Sequence, residues 1–390
     1  MEKITVEYQQ IAYFPYVFMG TNPIEYEGVT IWNFSREAER RIPDQSTRAF
    51  IASLLQINVR RGQPIPSIGV VDLSAQGFKP FNPKQKKLIQ EFRLALFLCT
   101  VAQSNIYSGP NAGLQMVTAD NFTLIFQNFQ LGNFSAGFST GSIVRIRSGG
   151  GKISEAKHEK PPYVFDHASI HIDEALMACM AKVKKRKPRA YQRILRAVEA
   201  FMGGYFNSDE MSFEGRILQQ ARAFEILLDL PPGRTQRMVA KEKIEKFCSP
   251  DSAKKVCYRF ERGHGQFEQE SGTMQKKWTD RFFTLRNHII HGQNVPESKL
   301  RFHGKWHQDL ALWFFLVSLK KLVNQTLGEQ EFYDEVKFEK NTFAYDSNAY
   351  YAILMRGAQK LKSKKVSSRQ TKKQTISSMA SPEFDLPSSE

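Results

Sequence analysis

The stretch "KKWTDRFFTLRNHIIHG", residues 276–292, decides how the C-terminal half of the chain is read. Trp278, Phe282, Leu285 and Ile289 recur at intervals of four, three and four, which places one apolar stripe along a helix that faces a core. Gly292 follows as the expected C-terminal cap. Arg286, Asn287 and His291 lie off the stripe. At about 100° per residue, Asn287 and His291 are neighbours one turn apart, whereas Arg286 and His291 are about 140° apart. One straight helix therefore does not bring Arg286 and His291 together. Either the helix unwinds at Gly292, or two copies of the turn meet across a dimer and build a shared site. Basic residues ahead of a glycine are also how a helix ordinarily ends.

Upstream, "FEGRILQQARAFEILLDLPPG" (213–233) is a second helix. Ile217, Ala221, Phe224 and Leu228 form its buried face, and Glu225 stands at the edge, within reach of the 276–292 helix. As a residue of structure, Glu225 would pair with a neighbouring Lys or Arg; as a site residue, it would work beside Arg286. "KVKKRKPRAYQRILR" (182–196) concentrates eight Lys and Arg as it enters another helix. Lys184, Lys185, Arg186, Lys187 and Arg189 are the candidates for tracking a phosphate backbone, or else a solvated helix connection. A final helix is read in "WHQDLALWFFLVSLKKLV" (306–323). From 169 to 329 the periodicity is helical almost throughout, with turns at "PPGR" (231–234) and "RGHGQ" (262–266).

These helices, with "FTLRNHIIHG" between a lysine-rich third helix and the final one, resemble an HEPN domain, most of all its Apea-like branch, over residues 190–328. The resemblance implies a four- to five-helix bundle, often homodimeric. It also implies a metal-independent endoribonuclease whose Arg-x4-6-His motif falls on Arg286, Asn287 and His291, and a place in abortive-infection defence that awaits a phage-derived or host trigger. Such chemistry uses the 2′-hydroxyl of RNA as nucleophile. It needs a proton carrier near neutrality, which His291 supplies, and a fixed cationic fork for the phosphate, which Arg286 supplies and lysine would not. The Asn287 amide would orient one or the other. The catalytic set is thus Arg286, Asn287, His291 and Glu225. Its alternative is a non-catalytic HEPN module that binds nucleic acid or a partner protein.

The N-terminal half reads differently. Residues 4–34 alternate apolar and polar in short bursts broken by Pro15, Gly20, Pro23 and Gly28, the spacing of hairpin strands. "SIGVVDL" (67–73), "NFTLIFQNFQLG" (121–132) and "GSIVRIRSGGG" (141–151) continue as strands. "KQKKLIQEFRLALFLCTVAQSN" (84–105) is a helix with Leu88, Phe92, Leu96 and Cys99 at helical intervals. "RSGGGKISEAKHEKPPY" (147–163) has the composition of an exposed connection. The expected fold class is α+β. An N-terminal mixed α/β, strand-rich sensing or substrate-gripping domain covers 1–150 and an all-α helical bundle 165–330, followed by a C-terminal extension with a helix over 331–359 and a disordered basic tail over 360–390.

Net charge is +16, with 55 Lys and Arg against 39 Asp and Glu, so polyanionic partners, RNA first among them, are favoured over acidic small molecules. Some of that excess lies in the tail. Cys99, Cys179, Cys248 and Cys257 are widely spaced, which indicates neither a disulfide framework nor a cysteine zinc site. No run reaches the 18 or so apolar residues of a membrane span, and the start lacks the order of a signal peptide, so a cytoplasmic protein is expected. His303 with His307, and His167 with His171, have the spacing of metal ligands on a helix but no third ligand, and read as surface or capping residues. "RSGGG" lacks the Lys-Ser or Lys-Thr of a phosphate loop. No cofactor and no metal is expected.

Overall fold

The computed structural model describes residues 8–17, 20, 22–66, 68–73, 77–107, 118–130, 135–139, 158–161, 164, 170–206, 211–233, 235–248, 255–263, 266–303 and 305–328. The expected strand at 141–151, the extension at 331–359 and the tail at 360–390 lie outside them.

The class is α+β. Strands β1 (Gln9–Phe14), β2 (Ile24–Tyr26) and β3 (Val29–Asn33) are followed by helices α1 (Phe34–Arg41) and α2 (Gln45–Leu55). Then come β4 (Asn58–Arg60), β5 (Gln63–Pro64), β6 (Gly69–Leu73), the long helix α3 (Pro83–Tyr107), β7 (Ile125–Gln130), β8 (Ser135–Ser139) and β9 (His158–Glu159). Six of these strands form an antiparallel sheet in the order β2-β3-β6-β1-β7-β8. Alternation sorts its side chains: Ile11, Tyr13, Trp32 and Val70 turn toward α1 and α2, while Ala12, Phe14, Ile31 and Val71 turn toward α3. Glu27 and Gly28 both have positive φ at the β2–β3 turn, the backbone that a two-residue hairpin requires. Helices α1 and α2 were not expected. Their local signals are nonetheless present, since Asn33 accepts the Ser35 N–H at 3.1 Å and Asp44 accepts that of Thr47 at 2.7 Å.

Strand β9 corrects the expected boundary near residue 150. It pairs in parallel with β4, and the Glu159 carboxylate accepts the N–H groups of Arg61 at 2.5 Å and Gly62 at 3.4 Å in the β4–β5 turn. Residues 158–160 therefore belong to the strand-rich half and not to a free connection. Nor does the boundary separate one core from another. A single apolar cluster runs from the sheet through α3 into the C-terminal helices, because α3 presents apolar residues to both, and Tyr26 on β2 donates to the Tyr191 hydroxyl of the helical half at 3.0 Å.

The C-terminal half consists of α4 (Glu174–Arg186), α5 (Pro188–Gly203), α6 (Phe213–Leu227), α7 (Gln236–Cys248), α8 (Met274–Ile290) and α9 (His307–Leu327). It is not all-α, as expected, because β10 (Val256–Gly263) and β11 (Gln266–Gly272) form a hairpin across the predicted "RGHGQ" turn. Ion pairs hold that hairpin on the helices: Glu270 receives Lys241 of α7, Lys276 of α8 at 3.0 Å and the Tyr258 hydroxyl at 3.0 Å. Two further strands, β12 (Arg301–Phe302) and β13 (Lys305–Trp306), make a minimal hairpin before α9. Helices α5 and α6 pack closely enough that a Cβ on Gly204 would stand 2.8 Å from the Arg216 carbonyl; only glycine fits there.

Phe201, Phe224, Trp278, Phe282 and Phe315 form the aromatic centre of the bundle. His307, at the start of α9, is buried against Trp278, Phe282 and Phe302, with Nδ1 lacking a hydrogen-bond partner among the described residues. It is neither a surface nor a capping residue. His303 sits in the β12–β13 turn at φ +51°, so the two do not lie on one helix. Burial pushes the His307 pKa down from 6.5 to about 4. Above pH 6.5 both folded and unfolded chains are neutral at this ring. As pH falls from 6.5 to 4, the unfolded chain takes up a proton that the folded one refuses, which removes about 3 kcal/mol of stability. Urea unfolding at pH 7.5 and pH 4.5 should show that loss in the wild type and a smaller one in His307→Leu; equal losses would refute it. No described helix is long and apolar enough to cross a membrane.

Candidate functional site

The site is built where α6 and α8 run side by side. Ser212 caps α6 by accepting the Gly215 N–H at 3.1 Å, and Thr273 caps α8 by accepting that of Lys276 at 3.3 Å. Ile217, Ala221, Phe224 and Leu228 are buried on α6, and Trp278, Phe282 and Leu285 on α8, with Ile289 packed at the core's edge. Phe224 meets Trp278 and Phe282 edge-on, with ring centroids 6.0 Å apart in both pairs. That contact sets the two helices so that Glu225, next to Phe224, faces Arg286, one turn beyond Phe282.

The expected reach of Glu225 is realised. Arg286 donates from Nη2 to Glu225 Oε1 at 2.7 Å and from Nη1 to Asn287 Oδ1 at 2.9 Å. The guanidinium plane is thus held from two sides, with further N–H groups left over. Burial pushes the Glu225 carboxyl above its ordinary value, against the opposing pull of Arg286.

His291 stands apart from this pair. It is the C-cap of α8, exposed, and its backbone N–H still donates to the Asn287 carbonyl at 3.0 Å. Gly292, at φ +65°, donates to Ile289, and Gln293 donates to His288, each at 3.0 Å. Both bonds of the Schellman termination are therefore made. Within one chain the helix does not unwind to carry the imidazole toward Arg286. Ile290, beside it, is 51% exposed.

The basic candidates divide. Lys184 is turned inward, 3.2 Å from Glu91 and 3.8 Å from Glu27, with its ammonium over the Tyr191 ring. It fastens α4 to α3 and is withdrawn from the expected RNA-binding set, because two carboxylates and an aromatic face offer a fixed cation more than solvent does. Lys185, Arg186, Lys187 and Arg189 are exposed at the α4–α5 corner.

Three cations near the site were not singled out in the sequence. Arg193 on α5 lies 3.4 Å from Asp229; Lys243 on α7 donates to the carbonyls of Leu228 at 2.5 Å and Asp229 at 3.3 Å; Arg222 is exposed one turn before Glu225. Helical spacing from Arg189 and from Glu225 would have found the first and last. Nothing local announces Lys243. On the other flank of α8, Asp280 is buried between Arg237 and Lys241, each at 3.7 Å, and burial raises its pKa despite them.

Among the described residues no group of three or more His, Cys, Asp or Glu side chains is placed to hold a metal ion. His171 is described and His167 is not, so that pair lies partly outside the described residues. Cys99, Cys179 and Cys248 are buried and Cys257 exposed, with no disulfide among them. No protein-family model, no curated protein and no solved structure matches this chain.

Proposed function

We propose that this protein is a metal-independent endoribonuclease of the HEPN type, acting on RNA in the cytoplasm. The observation that carries the reading is the Arg286 fork, held by Glu225 at 2.7 Å and Asn287 at 2.9 Å in the last turns of α8, with an exposed histidine in the next turn. Arg286 would hold a phosphate by its remaining donors and offset the charge that develops there. The RNA 2′-oxygen attacks the adjacent phosphorus, its proton passes to an imidazole, the bond to the 5′-oxygen breaks, and that oxygen takes a proton. Two copies of His291, one from each chain of a homodimer, would divide those tasks. Glu225 is a positioning residue on this account, and activity in antiphage defence would await a trigger.

The complete helix termination around His291 favours a second reading, a non-catalytic HEPN module for nucleic acid or a partner protein. Incubating the purified chain with total RNA in excess chelator separates the two. Fragments with cyclic-phosphate ends support the nuclease; RNA bound and left intact supports the binding module. For Glu225, releasing the fork by Glu225→Ala is expected to lower kcat/KM by about 10²-fold. Glu225→Gln, which keeps an acceptor, should recover much of that activity and flatten any acid limb of the pH profile. Wild-type activity in both variants would remove Glu225 from the site.

A further inference from the structure

Cations from four helices converge on the last turn of α6, where a helix end with about half a negative charge needs only one or two. Arg193 comes from α5, Arg222 from α6 itself, Lys243 from α7 and Arg286 from α8. Glu225 in the last turn of α6 receives Arg286, and Asp229, just past the helix end at φ +50°, receives Arg193. The Arg193 Nε is buried without a hydrogen-bond partner among the described residues. On the same face of α5, one turn back, Arg189 is exposed and leads to Lys187, Arg186 and Lys185 at the α4–α5 corner. A row of positive charge thus joins that corner to Arg286, although the two lie about a hundred residues apart in sequence.

We propose that this row is a phosphate-binding track for an RNA strand, in which Arg189 and Arg193 hold backbone phosphates and Arg222 passes the strand to Arg286. The choice of RNA rests on the ribonuclease reading; the track itself rests on the convergence of charge. Asp229 is its built-in competitor. Its carboxylate lies 3.4 Å from one nitrogen of the Arg193 guanidinium, and a phosphate entering the track takes its place. Asp229 is also 80% exposed on its side chain, so its removal costs little packing.

The test uses the full-length chain and a fluorescent 2′-O-methyl oligonucleotide, which cannot be cleaved, with anisotropy read at several salt concentrations. Arg189→Gln with Arg193→Gln should weaken binding, and should reduce the slope of log affinity against log salt by about 0.7 for each phosphate that is no longer held. Asp229→Asn should move affinity the other way, since Asn keeps the positive φ that Asp229 holds. Melting curves verify that each variant folds. The double variant binding as the wild type does, with an unchanged slope, would overturn the track, as would a wild type that does not bind. Cleavage of natural RNA with unaltered binding in the variants would sink the track and leave the nuclease standing. Altered binding without any cleavage would do the reverse.

Discussion

Replacing His291 by alanine is expected to lower metal-independent RNA cleavage by about 10²- to 10⁴-fold, the range that a lost proton carrier costs. Folding should be unaffected. The ring is exposed, and the helix end is held by backbone bonds from His291, Gly292 and Gln293 that do not involve it. Affinity for RNA should change little, since the phosphate contact is assigned to Arg286 and to the cations around α6. Arg286→Lys is the companion. It keeps the charge but not the planar fork that Glu225 and Asn287 hold, so it should lose most activity as well. The assay is fragment-end analysis on total RNA in excess chelator. Cleavage at the wild-type rate in His291→Ala would return the 286–292 turn to the role of an ordinary helix end and favour the binding module.

Lys320→Met is expected to destabilise the fold by about 3–5 kcal/mol, a large share of the 5–15 kcal/mol that holds a typical protein folded. Lys320 on α9 is 2% exposed and its ammonium lies 2.6 Å from Asp173, which is 11% exposed. Asp173 also caps α4 by accepting the Leu176 N–H at 2.9 Å, and its own N–H donates to Cys99 on α3 at 3.0 Å. The ion pair therefore ties the last helix to the first helix of the bundle and, through it, to the helix beneath the sheet. Methionine fills the volume but removes the ammonium that the largely buried Asp173 carboxylate faces. Asp173→Asn in the same chain should recover some of the loss, because Asn still caps the helix and carries no charge. Urea unfolding of the three variants measures this. A loss below about 1 kcal/mol for Lys320→Met would mean that solvent, and not Lys320, compensates Asp173.

Much of the C-terminal half was legible in one dimension. The stripes of α6 and α8 are local patterns enforced by burial, so Phe224, Trp278, Phe282 and Leu285 lie inside as their spacing demands. The cap at Gly292 and the reach of Glu225 follow from the same periodicity. The β10–β11 hairpin escaped because its stabilisation is not local: Glu270 is satisfied by Lys241 and Lys276 from two other helices. Lys184 was misplaced for a related reason, its partners Glu91 and Glu27 being remote in sequence and close in space.

By itself the sequence determined the α+β class, the helical faces of the bundle, the cap that ends α8 and the residue types of the candidate site, because periodicity, capping and side-chain chemistry act over a few residues. Tertiary structure alone decided that the two halves share one core through α3, that β9 crosses back to β4, and that Arg286 turns to Glu225 while His291 stays exposed at the helix end. Those outcomes depend on which helices lie side by side, and contacts between distant segments are set by packing the whole chain, not by any window of it.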